Sequence, residues 1–147
     1  MKIKTILLLL IFTGLVFSQT KIEIKNAWVR PAAKGANSAL FFTIQNNGTK
    51  ADTLVDASSK VSDDVMIHET YSKGKDMMGM RMLKFVAVPA HEEVKFKPKG
   101  LHVMIMEAKE DLKIGQTKDF TLEFKKAGKV KVKAVVQDMP LVRGMKH

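Results

Sequence analysis

The chain has 147 residues, 25 Lys+Arg against 15 Asp+Glu, a formal net charge of +10, ten methionines, four histidines and no cysteine. That length fits one domain plus processing segments, and a hydrophobic fraction of 46% excludes wholesale disorder. Without cysteine there is no disulfide, thiolate zinc site, iron–sulfur cluster, cysteine nucleophile or cysteine-ligated blue copper.

The first twenty residues, MKIKTILLLLIFTGLVFSQT, place Lys2 and Lys4 ahead of an apolar run from Ile6 to Phe17. That run is shorter than a bilayer-spanning helix and fits a secretory signal, with Ser18 at the expected cleavage point. Residues 1–18 are therefore expected to be a signal peptide, and the mature chain exported, periplasmic and without a stable membrane span. No cysteine follows the apolar run, so a bacterial lipoprotein anchor is not expected. Export also argues against nucleic acid as the partner of a basic chain. Lys95, Lys97, Lys131 and Lys133 are scattered through strand-like segments, with no interleaved aromatic platform.

From Lys21 onward the apolar period is two. Val94 and Phe96 alternate with Lys95 and Lys97; Phe120, Leu122 and Phe124 alternate with Thr121 and Glu123; valine and lysine alternate over residues 130–133. Turn signals recur at Asn46-Asn47-Gly48, Pro89-Ala90-His91, Pro98-Lys99-Gly100, Ile114-Gly115 and Ala127-Gly128-Lys129. The pattern predicts eight or nine short strands, no amphipathic helix, and one all-β antiparallel sandwich or Greek-key barrel over residues 19–137. Residues 138–147 are expected to form a flexible tail.

No G-x-S-x-G, P-loop or H-E-x-x-H motif is present, so histidine and methionine are the chemical candidates. Seven of the ten methionines lie between Met66 and Met106. On a strand, Leu101, Val103 and Ile105 share one face, and His102, Met104 and Met106 the other. Met66 and His68 repeat that i, i+2 pairing, and Met77, Met78, Met80 and Met82 follow a polar, turn-like stretch from Ser72 to Asp76. Thioether sulfur is a soft neutral donor and imidazole a borderline one. Together they suit a soft monovalent ion, copper(I), whereas zinc favours thiolate, imidazole or carboxylate and calcium favours oxygen. Methionine also fills cores adaptably, so the donor types alone leave a packing role open.

The spacing is specific. His68 is followed by eleven residues and Met80, then twenty-one residues and His102, then one residue and Met104. This resembles the H(M)-x10-M-x21-H-x-M motif of the periplasmic copper chaperones called PCuAC, with Glu69 in place of the optional methionine. Ala27-Trp28-Val29-Arg30-Pro31, residues 39–46 and Val88-Pro89-Ala90 are also similar to segments of that family, so the resemblance spans roughly residues 22–136.

The resemblance implies a cupredoxin-like sandwich with copper(I) held by His68, Met80, His102 and Met104, and a carrier, not an enzyme. It further implies delivery toward the CuA subunit of cytochrome c oxidase, alongside Sco-type proteins. Copper sequestration without a delivery partner, or an exported structural sandwich, are the alternatives. Met66, Met82 and Met106 are candidate auxiliary sulfurs. Met139, Met145 and His147 give the tail a possible second site, where His147 beside the terminal carboxylate would suit copper(II). Trp28 is read as a core anchor, Arg30 as neutralising an acid or bracing a turn, and His91 as a solvated turn residue.

Overall fold

The computed structural model describes residues 21–139. The expected signal peptide and tail residues Met145 and His147 lie outside them. Ten strands form: β1 (Ile22–Val29), β2 (Ser38–Asn46), β3 (Asp52–Ser58), β4 (Asp64–Gly74), β5 (Met77–Met82), β6 (Val86–Val88), β7 (Glu93–Phe96), β8 (Leu101–Met106), β9 (Thr117–Phe124) and β10 (Gly128–Val136). Among the described residues no helix is long and apolar enough to cross a membrane.

The strands run in the order β5-β4-β8-β7-β2-β1-β10-β9-β3-β6, with β2 also pairing β8. All pairings are antiparallel except β1–β10 and the single β7–β8 register pair. The sheet folds over on itself. Leu40, Ile67, Val103 and Ile105 from β2, β4 and β8 join Leu54, Phe120, Leu122 and Val136 from β3, β9 and β10 in one buried cluster. The alternation read from sequence explains both ends of this core. Phe120, Leu122 and Phe124 are buried on β9, while Val132, Ala134 and Val136 are buried between exposed Lys131, Lys133 and Val135 on β10. Burying each large aliphatic or aromatic side chain contributes about 1.5–3 kcal/mol, which fixes the register because a one-residue slip would expose the whole set.

Strand β1 departs from its own alternation. Ile22, Ile24 and Trp28 share even parity, which reads as one core-facing row. Asn26 adopts φ 53°, and the pairing with β2 slips between Lys25↔Thr43 and Trp28↔Phe41. This bulge inserts one residue and turns Trp28 to the other face. Trp28 is buried, but in a separate cluster with Ala39 and Phe41 and outside the main core. Trp28 is thus buried as expected, and it anchors this second, smaller cluster. Strand β2 is thus covered on both sides, by Leu40, Phe42 and Ile44 inside and by this small cluster outside.

The tenth strand comes from the methionine segment. Strand β4 continues through Ser72 to Gly74, so the turn-like stretch shrinks to Lys75 and Asp76, both at positive φ (47° and 60°). Two successive positive-φ residues have the hand of the tight turns that suit a twisted hairpin. Met77–Met82 therefore returns along β4 as the sheet's edge strand.

Candidate metal centre

The register of β5, β4, β8 and β2 assembles the histidines and methionines on the outer face of the sandwich. His68 lies opposite His102 on β8 and opposite Met82 on β5. One step along β4 on the same face, Thr70 pairs Met80; one step the other way, Met66 pairs Met104, which also pairs Ala39. Val103 and Ile105 meanwhile point into the core. The aliphatic face holds β8 in place and leaves its other face for His102, Met104 and Met106.

Burial is graded across this face. His102 is 5% exposed, His68 and Met104 are half-buried, and Met80 on the edge strand is 54% exposed. The two imidazoles meet edge to face with ring centroids 5.8 Å apart. His102 Nδ1 lies 3.0 Å from the Gly100 carbonyl oxygen. As the protonated nitrogen it donates to that acceptor, orienting the ring and leaving Nε2 as the available donor atom. His68 Nδ1 is buried without a hydrogen-bond partner. Burial, then the neighbouring His102, push the His68 pKa below its ordinary 6.5, with Asp64 opposing them. His68 is thereby kept as the neutral base that a metal requires.

Among the described residues no three His, Cys, Asp or Glu side chains come together to hold a metal ion. A third side-chain donor here is therefore a neutral one, and the thioethers of Met80 and Met104 are the soft donors that line the cavity beside His102. That donor set is uncharged and soft, and its fourfold combination of His68, Met80, His102 and Met104 fits a monovalent soft ion. Met80, His102 and Met104 line one cavity of about 280 Å³, together with Phe41 and Thr70.

Three neighbours were not legible as parts of this site. Phe41 packs against Trp28 at a tilt (centroids 4.5 Å, 31° between planes) and approaches His102 (6.4 Å), so the aromatic pair backs the imidazole. Arg30 was expected to neutralise an acid or brace a turn. Its guanidinium has no carboxylate partner among the described residues and lies over the Phe41 ring, 5.6 Å from the centroid. Lys99, in the turn before β8, lines the same cavity as Arg30. Their signal is the β1 bulge and the β7–β8 connection, neither of which shows in hydrophobic period. Among the auxiliary candidates, Met66 and Met82 lie on the site's face beside Met104 and His68. Met106 lies further along β8 opposite Asp64, and Met139 is exposed at the end of the described chain. His91 sits exposed in a turn at φ 60°, as expected.

The LpqE-like family, described as "Putative lipoprotein LpqE-like", matches residues 22–136. The chain belongs to this family. It is 30% identical over 118 residues to "Putative lipoprotein Lxx21020" of Leifsonia xyli subsp. xyli, covering 80% of this chain and 70% of that protein. Over 112 residues it is 30% identical to "Uncharacterized protein RP573" of Rickettsia prowazekii, covering 73% of this chain and 61% of that one.

Solved structures share the LpqE-like chain's architecture. An apo PCuAC domain from PmoF1 superposes with a TM-score of 0.67 at 28% identity, covering 81% of this chain and 95% of that domain. A copper-bound PCuAC domain from PmoF2 gives 0.68 at 22% identity, covering 84% and 97%. The copper(I) form of DR1885 from Deinococcus radiodurans gives 0.60 at 26% identity, covering 78% of each chain. The fold is the β-sandwich that the strand pattern predicted, of the cupredoxin-like kind that the family resemblance implied.

Proposed function

We propose that this protein is an exported copper(I) carrier of the PCuAC type, with His68, Met80, His102 and Met104 as the ligands. The observation that carries the reading is the His68–His102 pair, set edge to face at 5.8 Å amid thioethers, with an orphaned nitrogen on one ring and a carbonyl-fixed nitrogen on the other. An orphaned buried nitrogen is costly, about 1–3 kcal/mol, and a metal that engages this ring offsets that cost. The copper(I) form of DR1885 supports the choice of ion. The exposed Met80 supports a carrier role: a partner's donor replaces this thioether from the solvent side, and the ion passes across without being released.

Secretion by residues 1–18 and a periplasmic location are part of this reading, and the lipoprotein names of the relatives agree with an envelope setting. So is delivery toward the CuA subunit of cytochrome c oxidase with Sco-type proteins, as the family resemblance implies. Met139, Met145 and His147 add an auxiliary tail site, which deletion of residues 138–147 would remove without affecting the four-ligand site.

The test is anaerobic copper(I) titration of the mature protein against a colorimetric copper(I) chelator. One tight equivalent is expected, unaffected by equimolar zinc and lost in His102→Leu and Met104→Leu. Displacement by zinc, or full retention in both variants, overturns the ligand set. Transfer to an apo CuA domain separates delivery from sequestration.

A further inference from the structure

Resting on the copper reading above, we propose that Arg30 and Lys99 act as fixed cations that set the site's preference for copper(I) over copper(II). Both line the cavity that Met80, His102 and Met104 line, and among the described residues no aspartate or glutamate lines it. Neither has a carboxylate partner within ion-pair distance among the described residues. Arg30 is held in place from both ends. Its backbone N–H donates to the Ala39 carbonyl at 3.0 Å, its carbonyl accepts from Ser38 Oγ at 2.6 Å, and its guanidinium rests on Phe41, which in turn approaches His102. Lys99 is presented by a tight turn: it sits at φ 64°, and Gly100 N–H donates to the Lys97 carbonyl at 3.1 Å.

A donor set of two imidazoles and two thioethers adds no charge of its own. The charge at the centre is therefore the ion's, +1 or +2, and the surrounding field decides between them. A unit cation about 10 Å away disfavours the extra charge by roughly two- to fifteenfold, for an effective dielectric of about 80 to 20. Other charged groups near the imidazoles do not cancel this. Glu69 is locked to Arg81, and Asp64, the one carboxylate acting on His68, lies on β4 and does not line the cavity. Two cations against one remote carboxylate leave the cavity positive. Arg30 and Lys99 are both exposed, so salt screens part of their field.

The two affinities are linked by a one-electron step, copper(II) plus one electron giving copper(I), with the electron supplied by ascorbate or an electrode. Each tenfold change in the affinity ratio is about 59 mV in the potential of the bound ion. The experiment measures copper(I) affinity by anaerobic chelator competition and copper(II) affinity by glycine competition. It compares wild type with Arg30→Gln, Lys99→Gln, the double variant and the charge-keeping Arg30→Lys.

The expected result is a copper(I)-to-copper(II) affinity ratio two- to fifteenfold lower in each neutral variant, lower still in the double, and restored in Arg30→Lys. The differences shrink at high salt. An unchanged ratio in the double variant, or an equal fall in Arg30→Lys, overturns the electrostatic role while leaving the copper site standing. A wild type that takes up no copper(I) overturns the site and this inference together.

Discussion

His68 and His102 face each other across the β4–β8 pair with ring centroids 5.8 Å apart, yet only His102 has a hydrogen-bonded Nδ1. The asymmetry separates a fixed ligand from one whose polar need the fold leaves unmet.

Replacing His68 by leucine removes the orphaned nitrogen and places an apolar group in a half-buried position. The apo protein is expected to be as stable as wild type, or more stable by up to about 1 kcal/mol, while copper(I) affinity is lost. His102→Leu differs, because it removes a hydrogen bond to the Gly100 carbonyl, which keeps only the Thr70 N–H at 3.0 Å, and is expected to cost about 1 kcal/mol. Chemical denaturation of the two apo variants checks the ordering. A His68→Leu protein less stable than His102→Leu would mean that His68 has a structural role.

The pH dependence follows from the lowered His68 pKa, caused first by burial and then by His102, against Asp64. In the unfolded chain this imidazole titrates near its ordinary 6.5. As pH falls below 6.5 the unfolded state takes up the proton before the folded state does, so apo stability declines until the pH passes the folded value. Above 6.5 the group contributes no slope. Copper(I) binding keeps the ring unprotonated to still lower pH, so the holo protein, more stable at neutral pH, should lose stability at least as steeply over the same window. Thermal melts of wild type and His68→Leu between neutral and mildly acidic pH test this; equal slopes in the two proteins would remove His68 as the source.

Much of this arrangement is written in short-range pattern. Alternation placed β8's aliphatic residues inward and His102, Met104 and Met106 outward, and the motif spacing named the four residues that the structure sets on one face. What alternation misses is its own interruption. Asn26 at positive φ adds one residue to β1 and sends Trp28 outward to Phe41, a change that no count of hydrophobic residues records. The polar stretch from Ser72 read as a loop because its side chains are soluble on an edge hairpin, where little burial is needed to hold a strand. The parallel β1–β10 contact and the approach of Arg30 and Lys99 depend on pairing between distant segments, which local residues do not specify.

Exposure orders the methionines by reactivity. Met77, Met78, Met80 and Met82 are 51–58% exposed, whereas Met104 is half-buried on β8. Limited peroxide should convert the β5 methionines to sulfoxides first, lowering copper(I) affinity through Met80 while the melting temperature stays put. Met80→Leu should mimic the loss, weakening copper(I) by roughly tenfold or more, about 1.4 kcal/mol, with stability within about 0.5 kcal/mol of wild type. Peptide mapping alongside the copper assay checks the order. Unfolding at the dose that oxidises β5 would assign these sulfurs to packing.

The last expectation concerns Gly79, buried on the edge strand between Met78 and Met80. It lies opposite Tyr71, and a Cβ added there would come 2.8 Å from the Tyr71 ring carbon Cζ and also collide with the Lys73 side chain. Arg81 stacks on the same ring, 5.1 Å from its centroid, and is hydrogen-bonded to Glu69. Tyr71 therefore fills the space a side chain at 79 would need, and its ring is held from above. Lys73 can swing away at little cost, but Tyr71 cannot move without loosening Arg81. Gly79→Ala should push the ring aside and loosen β5, shifting Met80 away from His102. Copper(I) affinity should fall by roughly tenfold while the core, far from the edge, keeps the global melting temperature within a few degrees. Tyr71→Ala in the same chain frees the space and should restore part of the affinity. No change in copper(I) binding on Gly79→Ala would show that Met80 does not depend on this packing for its place.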